Sequence, residues 1–195
     1  MSTIITDINQ LDLSKSYTYA DYLTWQFDEM VEIIKGKIFK MSPAPSTKHQ
    51  DISVNLTREL SVFLKKKPCK LFAAPFDVRF LKNIEDKTIT TVTQPDLCVI
   101  CDPAKIDERG CVGAPDFIIE ILSPATKSKD IHEKFDLYQE FGVSEYWIVD
   151  PLSQIVDVFL LKDGNYQLKG KYTNDDKIEV HTLPGLEIEL NDIFV

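Results

Sequence analysis

The chain has 195 residues, of which 44% are hydrophobic and 27% charged, as is typical of a globular protein and unlike a collagen-like or disordered chain. Its 31 acidic and 22 basic residues leave a net charge of −9. This balance argues against a protein that coats nucleic acid non-specifically, because phosphate contacts need Lys and Arg. No apolar run is long enough to span a membrane, and the first residues lack the basic and apolar regions of a signal peptide. We therefore expect a cytoplasmic protein without membrane contact, folded as a single domain over residues 1–195.

The N-terminal part of the sequence predicts two helices with a hairpin between them. Apolar residues at helical spacing predict a first helix over residues 18–30. In VEIIKGKIFKM, the central glycine predicts a hairpin that turns at Lys35-Gly36. Either Ser46 or Thr47 can cap a long helix over about residues 48–66.

The rest of the sequence is rich in predicted strands. Residues 101–114 contain charges and two glycines, which indicates a loop. Residues 117–122 are apolar except for one glutamate, the pattern of a central strand covered on both faces. A helix over about residues 131–141 then connects this strand, in parallel, to a strand over residues 145–149. Further strands are predicted at 76–81, at 88–100 and after residue 155, where Asp163-Gly164 is a hairpin signal. The order of elements predicts a mixed α/β or α+β layer fold.

The four cysteines are too few to indicate a disulfide framework in a chain of this length. Cys98 lies in an apolar run, where a thiol packs as a small hydrophobic side chain. Cys98 and Cys101 have the spacing of half a zinc site, but no second CxxC pair or closely spaced histidines follow. We therefore expect core cysteines.

Two acids and one lysine occupy unusual positions. Asp96 opens a hydrophobic strand, and Glu120 lies inside the run FIIEIL, where a carboxylate is costly to desolvate unless a partner or a divalent cation offsets the charge. Lys134 falls on the apolar face of the helix over residues 131–141. It either extends its ammonium group to water or meets the acids at the end of strand 117–122.

The sequence resembles the PD-(D/E)XK nuclease superfamily. The resemblance lies in Pro95-Asp96 and in the following strand, which carries Glu120. More specifically, it resembles the Uma-type family of restriction endonucleases, from Glu32 to Asp150-Pro151. The most specific stretch is residues 115–151, PDFIIEILSPATKSKDIHEKFDLYQEFGVSEYWIVDP. The resemblance implies a restriction-endonuclease-like mixed sheet flanked by helices, with extra antiparallel strands at the N- and C-terminal ends.

The resemblance also implies a magnesium-dependent DNA endonuclease, with manganese as a substitute metal. Asp96 and Glu120 would be the metal ligands and, with Lys134, the catalytic residues. The superfamily pattern has a lysine two residues after the glutamate, where this chain has Leu122. Within this family the lysine is found on the following helix, and Lys134 is the matching residue.

Other residues are expected to support the site. Ser123 would hydrogen-bond a water molecule at the metal, and Tyr138 would orient Lys134 from the next helical turn. Asp77 is either a further acid or a solvent-facing strand residue, and His49 is either a substrate contact or, as we favour, a surface histidine at a helix end. Asp116 also follows a proline, but it lies too close to Glu120 to sit on a separate strand.

The net negative charge requires a local basic path for DNA. Lys127 and Lys129, which lie between Glu120 and Lys134 in the chain, are the expected DNA contacts. A second hypothesis is a catalytically degenerate binding or regulatory module on the same fold, which Leu122 and the acidic composition favour. The sequence leaves open whether the protein is a homo-oligomer.

Overall fold

The computed structural model describes residues 4–41, 45–81, 88–123 and 132–195. The helices of this part of the chain are α1 (Tyr19–Tyr22), α2 (Thr47–Leu64) and α3 (Glu133–Phe141), with short 3₁₀ turns at Ile8–Gln10, Pro103–Lys105 and Leu190–Asp192. Its strands are β1 (Val31–Ile34), β2 (Lys37–Lys40), β3 (Lys70–Ala73), β4 (Val78–Phe80), β5 (Thr91–Thr93), β6 (Leu97–Ile100), β7 (Ile106–Asp107), β8 (Gly110–Val112), β9 (Phe117–Ile121), β10 (Glu145–Asp150), β11 (Ile155–Lys162), β12 (Asn165–Thr173), β13 (Lys177–Glu179) and β14 (Glu187–Glu189). Within the described ranges, no helix has the length and apolar character needed to cross a bilayer.

The strands form two six-stranded mixed sheets and one hairpin. The outer sheet has the order β2-β1-β5-β4-β8-β7, the central sheet has the order β12-β11-β10-β9-β6-β3, and β13 pairs with β14. Strands β9 and β10 are parallel, as predicted, and α3 lies in the connection between them. The extra strands at the two ends of the chain, β1-β2 and β10-β11-β12, pair antiparallel. The mixed α+β fold with flanking helices is therefore confirmed.

Strand β9 is the centre of the molecule, because all five of its residues are buried. Its odd-numbered residues belong to a core formed with α2 and the C-terminal segment. Ile118 and Leu122 belong to a second core, formed with α3 and the outer sheet. Successive strand residues point to opposite faces, so Glu120 points toward α3 and the outer sheet.

Two local predictions differ from the structure. The helix predicted over residues 18–30 is confined to α1, and Leu23 and Met30 are exposed. In the mostly exposed segment that follows, aromatic contacts half-bury Trp25, which lies edge-on to Tyr22 and stacks on Phe27.

The loop predicted over residues 101–114 contains the small hairpin β7-β8. Strand β8 joins the outer sheet beside β4. The buried Arg79 of β4 donates hydrogen bonds to the Asp107 carboxylate and to the Cys111 carbonyl of this hairpin. These contacts come from a residue distant in the sequence, so the local pattern did not contain them.

The prediction of core cysteines is correct for two residues, Cys98 and Cys111, and wrong for the other two. Cys98 is buried with a free thiol. Cys69 and Cys101 instead form a disulfide across 32 positions of sequence. They flank the paired strands β3 and β6, in which Lys70 lies opposite Ile100. The pairing of these strands brings the two thiols together, and the spacing of the cysteines in the sequence does not reveal it. Because Cys101 is in the disulfide, it cannot form a zinc site with Cys98.

Candidate active site

Asp96 and Glu120 lie side by side at one end of the central sheet. Strands β6 and β9 are antiparallel, with Leu97 opposite Ile119. Asp96 immediately precedes β6, at the same end of the sheet as Glu120. Asp96 Oδ2 accepts a hydrogen bond of 2.7 Å from the backbone N–H of Ile121. The two predicted acids therefore lie together, Glu120 3% exposed and the Asp96 side chain 22% exposed.

Lys134 approaches Glu120 from α3. Its Nζ atom donates to Glu120 Oε1 at 2.7 Å, although the side chain is only 3% exposed. Of the two alternatives for Lys134, the structure therefore shows the second: the ammonium group contacts Glu120 on β9 and does not extend to water. Breaking a buried ion pair by removing one partner typically costs several kcal/mol, so this contact constrains both side chains.

Tyr138 completes the contact from the next turn of α3. Its hydroxyl donates to Glu120 Oε1 at 2.6 Å and lies 3.4 Å from Thr93 Oγ1. Burial, together with the charge of Glu120, raises the pKa of Tyr138 well above its ordinary value. Tyr138 therefore stays a neutral donor at physiological pH. It contacts the same carboxylate oxygen as Lys134.

Glu32, on β1, is a member of the cluster that the sequence reasoning did not select. Its side chain is 0% exposed, and its Oε1 atom lies 3.0 Å from Lys134 Nζ. The same oxygen accepts a 3.0 Å hydrogen bond from the backbone N–H of Gln94. The available signal was the run VEII, where a carboxylate interrupts an apolar strand as Glu120 does in FIIEIL.

Asp77 lies behind this cluster. One of its carboxylate oxygens accepts from Gln94 Nε2 at 2.8 Å, and the other accepts from the Tyr19 hydroxyl at 3.1 Å. Burial, and then the nearby Asp77 carboxylate, raises the pKa of Tyr19. Among the described contacts, Asp77 is linked to Glu32 only through Gln94. It is therefore part of the hydrogen-bonded support of the site, and it is not a solvent-facing strand residue.

His49 lies in the first turn of α2, with its Nε2 atom 3.4 Å from Asp96 Oδ1. The favoured prediction of a surface histidine is wrong, because the residue is 9% exposed. It lies on the buried stripe of α2 with Ile52 and Leu56, and this helical spacing was visible in the sequence. Its neighbour Asp96 makes it a member of the candidate site.

The end of β9 contributes two further residues. Leu122 is 7% exposed and packs in the core beside α3. An apolar side chain therefore occupies the position where the superfamily pattern has lysine. Ser123 follows it and is half-buried. Lys127 and Lys129, the expected DNA contacts, lie outside the described residues.

Residues 4–41, 45–81, 88–123 and 132–195 contain no group of three or more His, Cys, Asp and Glu side chains that could hold a metal ion. Mg²⁺, however, is usually bound by one or two carboxylates, with water and substrate phosphate as its other ligands. Asp96 is partly exposed and accepts from the backbone N–H of Ile121, the residue after Glu120. This pair fits the small carboxylate set that Mg²⁺ or Mn²⁺ requires.

Comparisons with known proteins bear on the family and the fold of the chain. The family model Uma2, described as "Putative restriction endonuclease", matches residues 19–191. An uncharacterized protein of Synechocystis sp. is 26% identical over 177 residues, which cover 89% of each chain. The crystal structure of a protein from Anabaena variabilis, described as a "putative nuclease", has a TM-score of 0.70 and 23% sequence identity, and the match covers 91% of this chain and 97% of that one. At this identity the structural likeness shows the fold alone.

Proposed function

The chain belongs to the Uma2 family, described as "Putative restriction endonuclease", and on this premise we propose that it is a metal-dependent endonuclease that hydrolyses phosphodiester bonds in DNA. The observation that carries the proposal is the position of Lys134. Its buried ammonium group lies 2.7 Å from Glu120 and 3.0 Å from Glu32, at the sheet end where Asp96 lies beside Glu120. Carboxylates that can bind a metal ion, together with a nearby cation, are groups that this hydrolysis uses.

Asp96 and Glu120 are the proposed ligands of Mg²⁺, with Mn²⁺ as a substitute. When bound, such a cation neutralises phosphate charge and lowers the pKa of a water molecule. Asp96 is held by the N–H of Ile121, and Glu120 is held by Lys134 and Tyr138. These hydrogen bonds orient both carboxylates before a ligand arrives, so less ordering is required on binding.

Lys134 is the proposed source of positive charge at the scissile phosphate. A cation that is already oriented stabilises the charge developing on the phosphate without rearranging in the reaction. Ser123 and His49 lie at the same end of the sheet and are proposed to contact water or substrate. Asp77 acts less directly, through Gln94.

Lys127 and Lys129 are the proposed DNA contacts. A chain with a net charge of −9 needs local basic residues along the DNA path, because phosphate binding depends on Lys and Arg. Both lysines lie in the chain between Glu120 and Lys134. The segment that carries them therefore begins and ends near residues of the candidate site.

A second candidate is a binding or regulatory module that has lost catalysis. Two observations favour it: Leu122 stands in the lysine position of the superfamily pattern, and Glu120 and Lys134 are each only 3% exposed. A buried ion pair of this kind also serves a purely structural role in many proteins. Metal-dependent cleavage separates the two functions.

The test is a cleavage assay on supercoiled, linear and branched DNA with Mg²⁺, Mn²⁺ or EDTA. The variant is Asp96→Asn, and Asp116→Asn is its matched control. Both aspartates follow a proline, are half-buried and accept a 2.7 Å hydrogen bond from a backbone N–H. However, Asp116 lies at the opposite end of β9.

We expect cleavage with metal by the wild type and by Asp116→Asn, and a loss of at least about 100-fold in Asp96→Asn, since metal ligands supply several kcal/mol of transition-state stabilisation. Metal-independent DNA binding without cleavage would support the degenerate module. Equal activity in the two variants would contradict the proposed ligand.

A further inference from the structure

Glu32 is a buried glutamate with a specific set of partners. It lies in the outer sheet, on β1 between the edge strand β2 and β5, and its side chain is 0% exposed. A charged carboxylate is rarely buried unless it is paired. Its Oε1 atom meets both Lys134 Nζ and the backbone N–H of Gln94 at 3.0 Å.

The Lys134 ammonium group is held from two sheets at once. Glu120 belongs to the central sheet and Glu32 to the outer sheet, and their Oε1 atoms lie 2.7 Å and 3.0 Å from Nζ. A lysine side chain has several rotatable bonds, and its ammonium group is a point charge without a fixed hydrogen-bonding plane. Contacts from two directions therefore restrict the position of Nζ more than a contact with Glu120 alone.

Glu32 is itself held by the segment that leads into the candidate metal ligand. Gln94 donates its backbone N–H to Glu32 and lies two residues before Asp96 in the chain. The Gln94 side chain is in turn held by Asp77. Residues 94–96 connect β5 of the outer sheet to β6 of the central sheet. The same short crossing thus orients Glu32 and carries Asp96.

From these contacts we propose that Glu32 is a positioning residue, which holds the Lys134 ammonium group beside Glu120 in the orientation that the reaction uses. The inference rests on the proposed endonuclease function. Glu32 acts through Lys134, without contact to substrate or metal. A displacement of a catalytic group by about 1 Å can lower the rate about 100-fold, so a loosened Lys134 lowers kcat without weakening substrate binding.

The experiment compares Glu32→Gln with Glu145→Gln in the full chain. Glu145 is an equally buried strand glutamate with its own partners, the Trp147 indole and Thr182. It lies on β10 opposite Phe117, at the far end of β9 from Glu120. The substitution keeps the shape and removes the negative charge. At position 32 the ion pair with Lys134 is lost, and the hydrogen bond from the Gln94 N–H becomes a neutral one of about half the strength.

Three quantities are measured for each variant: the kcat and KM of DNA cleavage, the Mn²⁺ dissociation constant, and the mobility of the Lys134 ε-methylene group by ¹³C NMR. For Glu32→Gln we expect kcat to fall about 10- to 100-fold, KM and the Mn²⁺ constant to change less than about twofold, and the ε-methylene group to become more mobile. Glu145→Gln is expected to leave all three near wild-type values. If Glu32→Gln does not fold, Glu32→Asp replaces it, because the shorter side chain withdraws the carboxylate from Nζ.

Several outcomes would overturn the inference. Weaker Mn²⁺ binding in Glu32→Gln would make Glu32 a metal ligand, and an unchanged kcat or an unchanged ε-methylene group would make it structural only. The NMR measurement needs no activity. If the wild type does not cleave DNA, the proposed function fails, while the hold of Glu32 on Lys134 is still confirmed or refuted independently.

Discussion

Lys134 has an unusual environment for a lysine, because its ammonium group is buried between two glutamates. Its position on the apolar face of a helix was visible in the sequence, as was the apolar setting of Glu120. Glu32 likewise interrupts an apolar strand, but an acid in an apolar run gives no indication of its partner. The two acids and the lysine are far apart in sequence and meet only because two sheets and a helix converge.

Replacement of Lys134 by methionine is expected to reduce the free energy of unfolding by about 3–5 kcal/mol, because two buried carboxylates lose the ammonium group between them. Chemical denaturation measures this loss. The additional change Glu32→Gln is expected to restore part of it, since one of the two charges is then removed.

Lys35→Met is the control for this substitution. Lys35 forms an ion pair of 2.6 Å with Glu140, but its side chain is 59% exposed, so the expected loss is below about 1 kcal/mol. Equal losses at the two lysines would contradict a buried, tightly held Lys134.

The hairpin β1-β2 positions Glu32, and its turn was predicted correctly. Both turn residues have positive φ, 51° at Lys35 and 80° at Gly36, as a two-residue turn between twisted strands requires. The hairpin β11-β12 has the same geometry, with φ of 50° at Asp163 and 77° at Gly164. The two turns differ in their surroundings, which the sequence does not show.

Gly36→Ala is expected to destabilise the protein more than Gly164→Ala. A Cβ atom at Gly36 would collide with the Ser16 side chain, whereas a Cβ atom at Gly164 meets nothing within 4 Å. The change at Gly164 should cost about 1–2 kcal/mol, from the left-handed backbone alone. Denaturation midpoints measure both changes.

A matched variant isolates the collision. Ser16→Ala removes the hydroxyl oxygen nearest to the new methyl group, so it should recover part of the loss in Gly36→Ala and none of the loss in Gly164→Ala. Equal effects of the two glycine substitutions would show that the Ser16 contact carries no cost.

For the molecule as a whole, the site lies where the two sheets meet. The outer sheet supplies Glu32, the central sheet supplies Glu120, and the chain crosses between them just before Asp96. The Cys69–Cys101 disulfide joins β3 and β6 at the end of β6 opposite Asp96. It therefore stabilises the central sheet at a distance from the candidate site.

Reduction of this disulfide is expected to lower the stability by about 2–4 kcal/mol, as is typical for a bridge that closes a loop of this kind. Thermal unfolding with and without dithiothreitol measures the effect. The double variant Cys69→Ser/Cys101→Ser should show the lower stability in both conditions.

Thiol counting is the independent check. Denatured, unreduced protein is expected to expose only the thiols of Cys98 and Cys111. In the native state Cys111 should react slowly, because burial raises its pKa to about 11 and the thiolate is the reactive form. Four reactive thiols in denatured, unreduced protein would contradict the bridge.

The local elements and the residue types of the site follow from the sequence alone. Hydrophobic periodicity, helix caps and turn residues are properties of neighbouring positions, and from them follow α2, the two hairpins and the parallel strands β9 and β10. The unusual settings of Asp96, Glu120 and Lys134 were also local. The family resemblance added their expected roles.

Which of these side chains meet depends on the tertiary structure. The Glu32–Lys134 contact, the hydrogen bond from Gln94 to Glu32 and the Cys69–Cys101 bridge each join residues that are distant in sequence. The burial of His49 and the small hairpin β7-β8 likewise depend on partners from other elements. Such contacts depend on strand order and sheet packing, and a pattern of neighbouring residues does not specify either of these.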